Sequence, residues 1–305
     1  MQAVVIGRSG GPEVVKLAEV PNPVAGPGQV VIELRAAALN RRDVWIRLGK
    51  YPNCRYPFQP GSDGAGIVAE TGPEVSGIKK GAEVVIYPAM NWGDDERIPG
   101  ADFKILGMPD PGTCAGRVAV PVGNVFPKPK TLSWEEAAAF PLASLTAYRA
   151  LVTRAKVKSG EWVFIPGIGG GVATFALLLA RNFGARVAAS SSSDEKLAKA
   201  KELGAEVLIN YTDADWEKQL VERTGGGPNV IIDGVGEATV ARGIRALRPA
   251  GRLVIYGITS GGAVEHDPRL LAHIYWKQLD VLGSTMGSPR EFSKMLKERE
   301  RLHLS

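Results

Sequence analysis

The stretch Gly167-Ile168-Gly169-Gly170-Gly171-Val172-Ala173 stands behind the apolar run Trp162-Val163-Phe164-Ile165-Pro166 and ahead of an apolar helical run reaching Phe183. Strand, glycine turn and helix in that order can cradle a pyrophosphate. Residues without a β-carbon let backbone amides approach the oxygens, and the positive end of the helix dipole favours the charge. The match to GxGxxG/A is imperfect: with Gly170 in the middle and Ala173 last, Ile168 takes the first position and Gly167 and Gly169 flank it. A merely structural tight turn is the alternative.

An acid about 20 residues on would hold a ribose 2′-hydroxyl and repel a 2′-phosphate. That place falls on Ser190 and Ser191. The nearest acid, Asp194, lies inside Ser192-x-x-Glu195, which reads as a capping box and puts Asp194 in a first helical turn, where the dipole alone favours it. The pattern predicts NADP(H), with the serine hydroxyls and Lys196 as partners of the 2′-phosphate.

These residues need a framework, and 305 residues suffice for two cores. From Met1 to about Val122 short apolar or alternating runs (Val30–Leu34, Ala65–Val68, Glu83–Tyr87, Gly116–Val120) are broken by Gly and Pro, which predicts an antiparallel or barrel-like β domain. The polar stretch 91–113 inside it reads as an excursion or lobe. Ser133-Trp134-Glu135-Glu136 fits a capping box opening a helix. After Gly160 six apolar runs (Trp162–Ile165, Arg186–Ala189, Val207–Ile209, Val230–Asp233, Arg252–Tyr256, Leu279–Leu282) follow, with helix-length patterns between the first five. That alternation predicts an α/β fold with a six-stranded parallel sheet covered on both faces.

Composition narrows the partners. The net charge of +5 is scattered among acidic neighbours, which argues against nucleic acid. The longest apolar run, Val172–Ala180, cannot span a bilayer. Two cysteines, Cys54 and Cys114, give neither a disulfide framework nor a CxxC, and the first residues do not read as a targeting segment. A cytoplasmic protein acting on a small molecule is the expectation.

Taken together, Ala38-Leu39-Asn40-Arg41-Arg42-Asp43, Pro60-Gly61-Ser62-Asp63-Gly64-Ala65-Gly66-Ile67-Val68, Pro141-Leu142-Ala143-Ser144-Leu145-Thr146-Ala147-Tyr148, the glycine stretch, Ile209-Asn210-Tyr211 and Leu282-Gly283-Ser284-Thr285-Met286-Gly287 resemble the medium-chain dehydrogenase/reductase family. The resemblance covers nearly the whole chain. It implies a GroES-like β-barrel catalytic domain at 1–124, a Rossmann domain at 125–288, and hydride transfer in the cleft between them. Relatives continue past the helix at 289–301, so 289–305 would be the start of a return to the catalytic domain that stops short.

Departures from the family's zinc branch are informative. That branch has a cysteine at the position of Asn40, the histidine of GHE within Gly61-Ser62-Asp63, and a third ligand at Leu142; here none is a zinc ligand. His266, His273 and His303 lie far from these motifs, and the lobe stands where zinc members carry a four-cysteine site, so no metal is expected. Polarisation by hydrogen bonds suits acceptors that delocalise charge after hydride attack, namely quinones, enones or enoyl thioesters.

The chain is similar to the zinc-free quinone oxidoreductase branch, whose NxxD motif Asn40 and Asp43 match and whose tyrosine-bearing segment Arg47-Leu48-Gly49-Lys50-Tyr51-Pro52 matches. The resemblance implies that Tyr51 donates the proton and Asn40 holds the carbonyl or the nicotinamide ribose; Tyr51 as a packing residue is the alternative. It also implies that Lys196 and Tyr211 contact the 2′-phosphate. Gly234, Val235, Gly257, Ile258, Thr259, Ser284, Thr285 and Met286, at strand ends, would line the ribose and nicotinamide, while Asp233 reads equally as a residue that turns the chain. A homodimer is a family expectation. Two other readings stay open: an alcohol or aldehyde dehydrogenase with a metal on Asp43 or Asp63, and a non-catalytic nucleotide-binding protein.

Overall fold

The computed structural model describes residues 1–261 and 267–302. His266 and His303 lie outside them. The chain divides into two compact units, Met1–Leu145 with the chain from Gly287 onward, and Thr146–Met286.

In the first unit β1 (Gln2–Ile6) and β2 (Val15–Glu19) pair antiparallel. β3 (Gln29–Ala38), α1 (Arg41–Arg47), β4 (Asp63–Thr71) and β5 (Glu83–Ile86) follow, then the ribbon β6 (Ala89–Met90) and β7 (Lys104–Ile105), then β8 (Arg117–Pro121) and β9 (Val125–Pro127). The five-stranded sheet runs β8-β3-β4-β5-β9, antiparallel throughout. Residues just after position 124 thus still pair within this sheet. Two-residue periodicity puts Val30 and Ile32, Val84 and Ile86, and Val118 and Val120 into one buried core.

The lobe between β6 and β8 has an apolar anchor. Trp92 is 2% exposed, meets Phe103 edge-on at 5.5 Å between ring centres, and donates from Nε1 to the Asp95 carbonyl at 3.1 Å. Helix α2 (Trp134–Ala139) opens on the expected capping box, Ser133 accepting from Glu136 N–H at 3.2 Å and Glu136 Oε2 from Ser133 N–H at 2.8 Å. Helix α3 (Pro141–Tyr148) follows and runs on into a π-helical turn, Arg149–Arg154.

The second unit contains β10 (Trp162–Ile165), α4 (Gly171–Asn182), β11 (Arg186–Ser191), α5 (Asp194–Glu202), β12 (Val207–Asn210), α6 (Trp216–Arg223), β13 (Val230–Asp233), α7 (Val240–Ala246), β14 (Arg252–Ile255), α8 (Leu270–Trp276) and β15 (Asp280–Gly283). All pairs are parallel, in the order β12-β11-β10-β13-β14-β15. The order reverses beside β10, where open sheets of this kind bind ligands. The six strands are those expected. Helix α8, unexpected, has no fully buried residue; its apolar residues lie on both sides, Leu270 and Ile274 against the core and Leu271, Tyr275 and Trp276 exposed, which blurs the periodicity.

At Gly287 the chain rejoins the first unit, where a β-carbon would lie 2.6 Å from Leu145 Cδ1. Helix α9 (Pro289–Leu302) is fixed by Phe292, fully buried, whose ring centre lies 4.9 Å from Phe126 and 5.3 Å from Tyr87. Tyr87 donates from its hydroxyl to the Gly287 carbonyl at 2.6 Å.

Candidate functional site

In the first unit the site grows out of the start of α1. Asn40 is its N-cap and Asp43 its third residue, a capping box in which Asp43 Oδ2 accepts Asn40 N–H at 2.7 Å. Asp43 Oδ1 accepts Gly61 N–H at 3.1 Å. NxxD is therefore a bracket tying the helix to the turn before β4, and Asp43, expected at the chemistry, has both oxygens on backbone amides. Only glycine fits at 61: φ is +99°, and a β-carbon would meet Thr113 Oγ1 at 2.5 Å and Cys114 N at 2.8 Å.

Two positions the zinc branch would use, Asn40 and Leu142, meet at Asp63, the neighbour of Ser62 at the third. Asn40 Nδ2 donates to Asp63 Oδ2 at 2.8 Å, and Leu142 N–H to Asp63 Oδ1 at 2.9 Å. Asp63 is 1% exposed. Burial pushes its carboxyl up to about 7, against the hydrogen bonds from Asn40 and Leu142; Asp43 adds to the rise and Arg42 opposes it. Asp63 was not among the expected catalytic residues. Its signal was an acid between small residues, Ser62 and Gly64, opening a strand otherwise headed for the core.

Arg42, also unforeseen, is buried, donating from Nη1 to Ser62 Oγ and the Leu106 carbonyl, both at 2.8 Å. Its guanidinium carbon stands 5.1 Å from the centre of the Tyr51 ring. Tyr51 is half-buried against the cluster of Ile6, Val14, Ile46, Phe58 and Met108. Tyr51 is thus packed on one side against apolar side chains and on its ring against the Arg42 guanidinium.

Zinc does not fit these donors. Asp63 and Asp43 each have both oxygens committed to N–H groups, Ser62 Oγ donates to the Leu106 carbonyl at 2.7 Å, and position 142 contributes only a backbone amide. Among the described residues no three His, Cys, Asp or Glu side chains gather as metal ligands.

In the second unit the glycine turn leaves β10 and enters α4, with Gly170 as N-cap in extended conformation. The amides of Gly171, Val172 and Ala173 stand in the first turn, which lacks intrahelical acceptors. Ile168, buried, donates its N–H to the Ser190 carbonyl at 2.8 Å, so it pins the turn to β11 and does not face a ligand with its side chain. Gly167 N–H lies 3.4 Å from Ser190 Oγ. At Gly169, φ +117°, a β-carbon would lie 2.9 Å from Lys196 Cδ. The cradle fits a dinucleotide.

The serines divide differently from expectation. Ser190 and Ser191 are 1% and 4% exposed, and Ser191 Oγ accepts Ser193 N–H at 3.1 Å. The cap of α5 is Ser193, not Ser192, accepting Lys196 N–H at 3.3 Å. Ser192 is thereby released, exposed, and accepts from the Tyr211 hydroxyl at 3.0 Å. Ser192, Tyr211 and Lys196 are the exposed group at the ends of β11 and β12.

At the end of β13 Asp233 turns the chain. Its Oδ1 accepts Val235 N–H at 2.7 Å and Gly236 N–H at 3.0 Å, and its Oδ2 accepts from Thr239 Oγ1 at 2.6 Å. Burial raises its carboxyl. Gly234 and Gly257 allow close passage: a β-carbon on Gly257 would stand 3.2 Å from the Gly234 carbonyl oxygen. Thr259 donates from N and Oγ1 to that same oxygen, both at 3.0 Å. Ile258 and Thr285 are exposed, and Ser284 Oγ is buried without a partner. Met286 is 4% exposed, with Thr146 Oγ1 at 3.9 Å from its sulfur, so its side chain packs and only its backbone could meet a ligand.

Comparison with known proteins agrees with this arrangement. The family of alcohol dehydrogenase GroES-like domains matches residues 26–130, and the family described as zinc-binding dehydrogenase matches residues 171–301. The zinc-type alcohol dehydrogenase-like protein YogA of Leptosphaeria maculans is 36% identical over 92% of this chain and 82% of that protein. The quinone oxidoreductase of Mus musculus is 30% identical over 94% of this chain and 81% of its own. A crystal structure of an NAD-dependent alcohol dehydrogenase is 40% identical and superposes with a TM-score of 0.91, covering 99% of this chain and 89% of that one. With a GroES-like domain, a six-stranded parallel sheet and relatives at these identities, the chain belongs to the medium-chain dehydrogenase/reductase superfamily of oxidoreductases.

Proposed function

We propose that the protein is an NADPH-dependent reductase of quinones or activated alkenes that works without zinc. The observation that carries this reading is the meeting of Asn40 and Leu142 at the hydrogen-bonded Asp63 carboxyl, with no zinc-type donor set among the described residues. NADPH, when bound, supplies the hydride. The first turn of α4 would hold the pyrophosphate, and Ser192, Tyr211 and Lys196 the 2′-phosphate. Asn40 would hold the acceptor's carbonyl oxygen through its carboxamide. Tyr51, its ring beneath the Arg42 guanidinium, would donate the proton that completes reduction.

The test is oxidation of NADPH, and separately NADH, by metal-free protein offered a quinone, a short enone and a simple ketone in turn. Turnover of the quinone or enone with NADPH supports the proposal. Activity confined to the ketone and restored by zinc favours the second reading, an alcohol dehydrogenase, which the names of two similar proteins suggest. Normal NADPH binding without turnover favours a nucleotide-binding protein.

We also propose a cytoplasmic homodimer. Its two cysteines, both free, suit a reducing compartment. The edge strand β15 with exposed Val281, beside the exposed Tyr275 and Trp276 of α8, supports pairing of two copies. No helix among the described residues is long and apolar enough to cross a membrane.

A further inference from the structure

Asp63 opens β4, Asn40 caps α1 and Leu142 lies in the first turn of α3, so three elements meet at one buried carboxyl. Both of its partners are N–H donors. A carboxylate accepts strongly from both. A carboxamide sets its NH2 against one of them, and a protonated carboxyl leaves one of them only a weakly accepting hydroxyl oxygen.

Asn40 has the opposite problem. Its carboxamide has two unlike ends, and only the Nδ2 end can donate to the acceptor's carbonyl oxygen; Nδ2 carries two hydrogens, one for Asp63 and one for the acceptor. Asp63 draws the Nδ2 end toward itself at 2.8 Å. We propose that Asp63 is a positioning residue for this reaction, its carboxylate fixing the orientation of the Asn40 carboxamide that holds the acceptor.

The inference rests on the role of Asn40 in the proposed function. Fold support is separable from it, because the Asp63 main chain is held independently: it pairs with Ala38 of β3, and its carbonyl accepts from Thr113 Oγ1 at 2.6 Å. The charged groups that act on the carboxyl are Arg42 and Asp43, both from α1.

The experiment compares wild type, Asp63→Asn, Asn40→Ala and the double variant, with NADPH and whichever quinone or enone the wild type reduces. Asp63→Asn is expected to lower kcat on the order of tenfold to a hundredfold, with the Kd for NADPH unchanged. In the Asn40→Ala background the same replacement should cost nothing further. Unchanged kcat in Asp63→Asn, or an equal loss in both backgrounds, overturns the proposal.

If the wild type reduces no acceptor, the reductase reading fails and the orientation is read by NMR. The Asn40 Nδ2 protons should exchange slowly in wild type and rapidly in Asp63→Asn; equal exchange overturns the proposal. If Asp63→Asn does not fold, the wild type still decides. Its Asn40 Nδ2 resonance should titrate in step with the Asp63 carboxyl carbon, and independent titration overturns the proposal.

Discussion

The side chain of Lys196 lies across Gly169, so closely that a β-carbon at 169 would stand 2.9 Å from Lys196 Cδ. The glycine turn and the first turn of α5 are thereby in contact, and the lysine stem roofs the glycine. Gly169→Ala should displace the lysine and strain a backbone held at φ +117°. The expected outcome is binding of NADPH weakened about tenfold and stability reduced by about 1–3 kcal/mol, read by fluorescence titration and urea unfolding. Unchanged affinity would mean that the lysine simply swings away.

Lys196 itself should discriminate between cofactors. A charge-assisted contact to a 2′-phosphate is worth ~1.5–3 kcal/mol, so Lys196→Ala should raise the KM for NADPH at least about tenfold. KM for NADH should not move. Equal changes for both would take Lys196 out of the 2′-phosphate site, and with it the main chemical argument for NADPH.

Stability should depend on pH through Asp63. Its carboxyl stands at about 7 in the folded chain against an ordinary 3.8, so the folded state holds a proton across that interval that the unfolded state has lost. This contribution is fully present below about 4 and is lost as pH rises through about 7, on the order of a few kcal/mol. Asp233, also raised by burial, adds a loss of the same sign. A thermal midpoint followed from pH 5 to 8.5 should therefore fall, and Asp63→Asn should flatten the slope by its own share. Activity should run the other way, rising through the same window as the carboxylate that orients Asn40 forms.

In the lobe, Trp92 provides an apolar anchor against Phe103. Trp92→Ala should cost ~3–5 kcal/mol, whereas prolonged dialysis against a chelator should leave the thermal midpoint unchanged. A fall in midpoint on chelation would reveal a metal contribution.

What was legible in the sequence follows the strength of each periodic signal. The strands of the parallel sheet are buried on both faces and read as apolar runs, so all six were found, with α4 behind its glycines. In the sequence Asn40 and Asp43 read as chemistry and hide the start of helix α1, although an amide three residues before an acid is also a capping box. The Ser192–Ser193 slip has a similar cause: adjacent serines offer the same cap one residue apart, and only the fold chooses. The sequence offers Asp63 only as an alternative metal ligand, because its partner Leu142 stands 79 residues away and contributes a main-chain N–H that leaves no trace in residue type.

The second unit interrupts the first: the chain departs at Leu145 and comes back at Gly287 beside it, and the aromatic cluster around Phe292 is incomplete until that return. During synthesis the order of completion is therefore inverted relative to the order of appearance. The second unit has its whole sequence once Met286 has left the ribosome, while the unit begun first must wait, with the faces of Tyr87, Phe126 and Phe140 that Phe292 will cover still open to water and to chaperones.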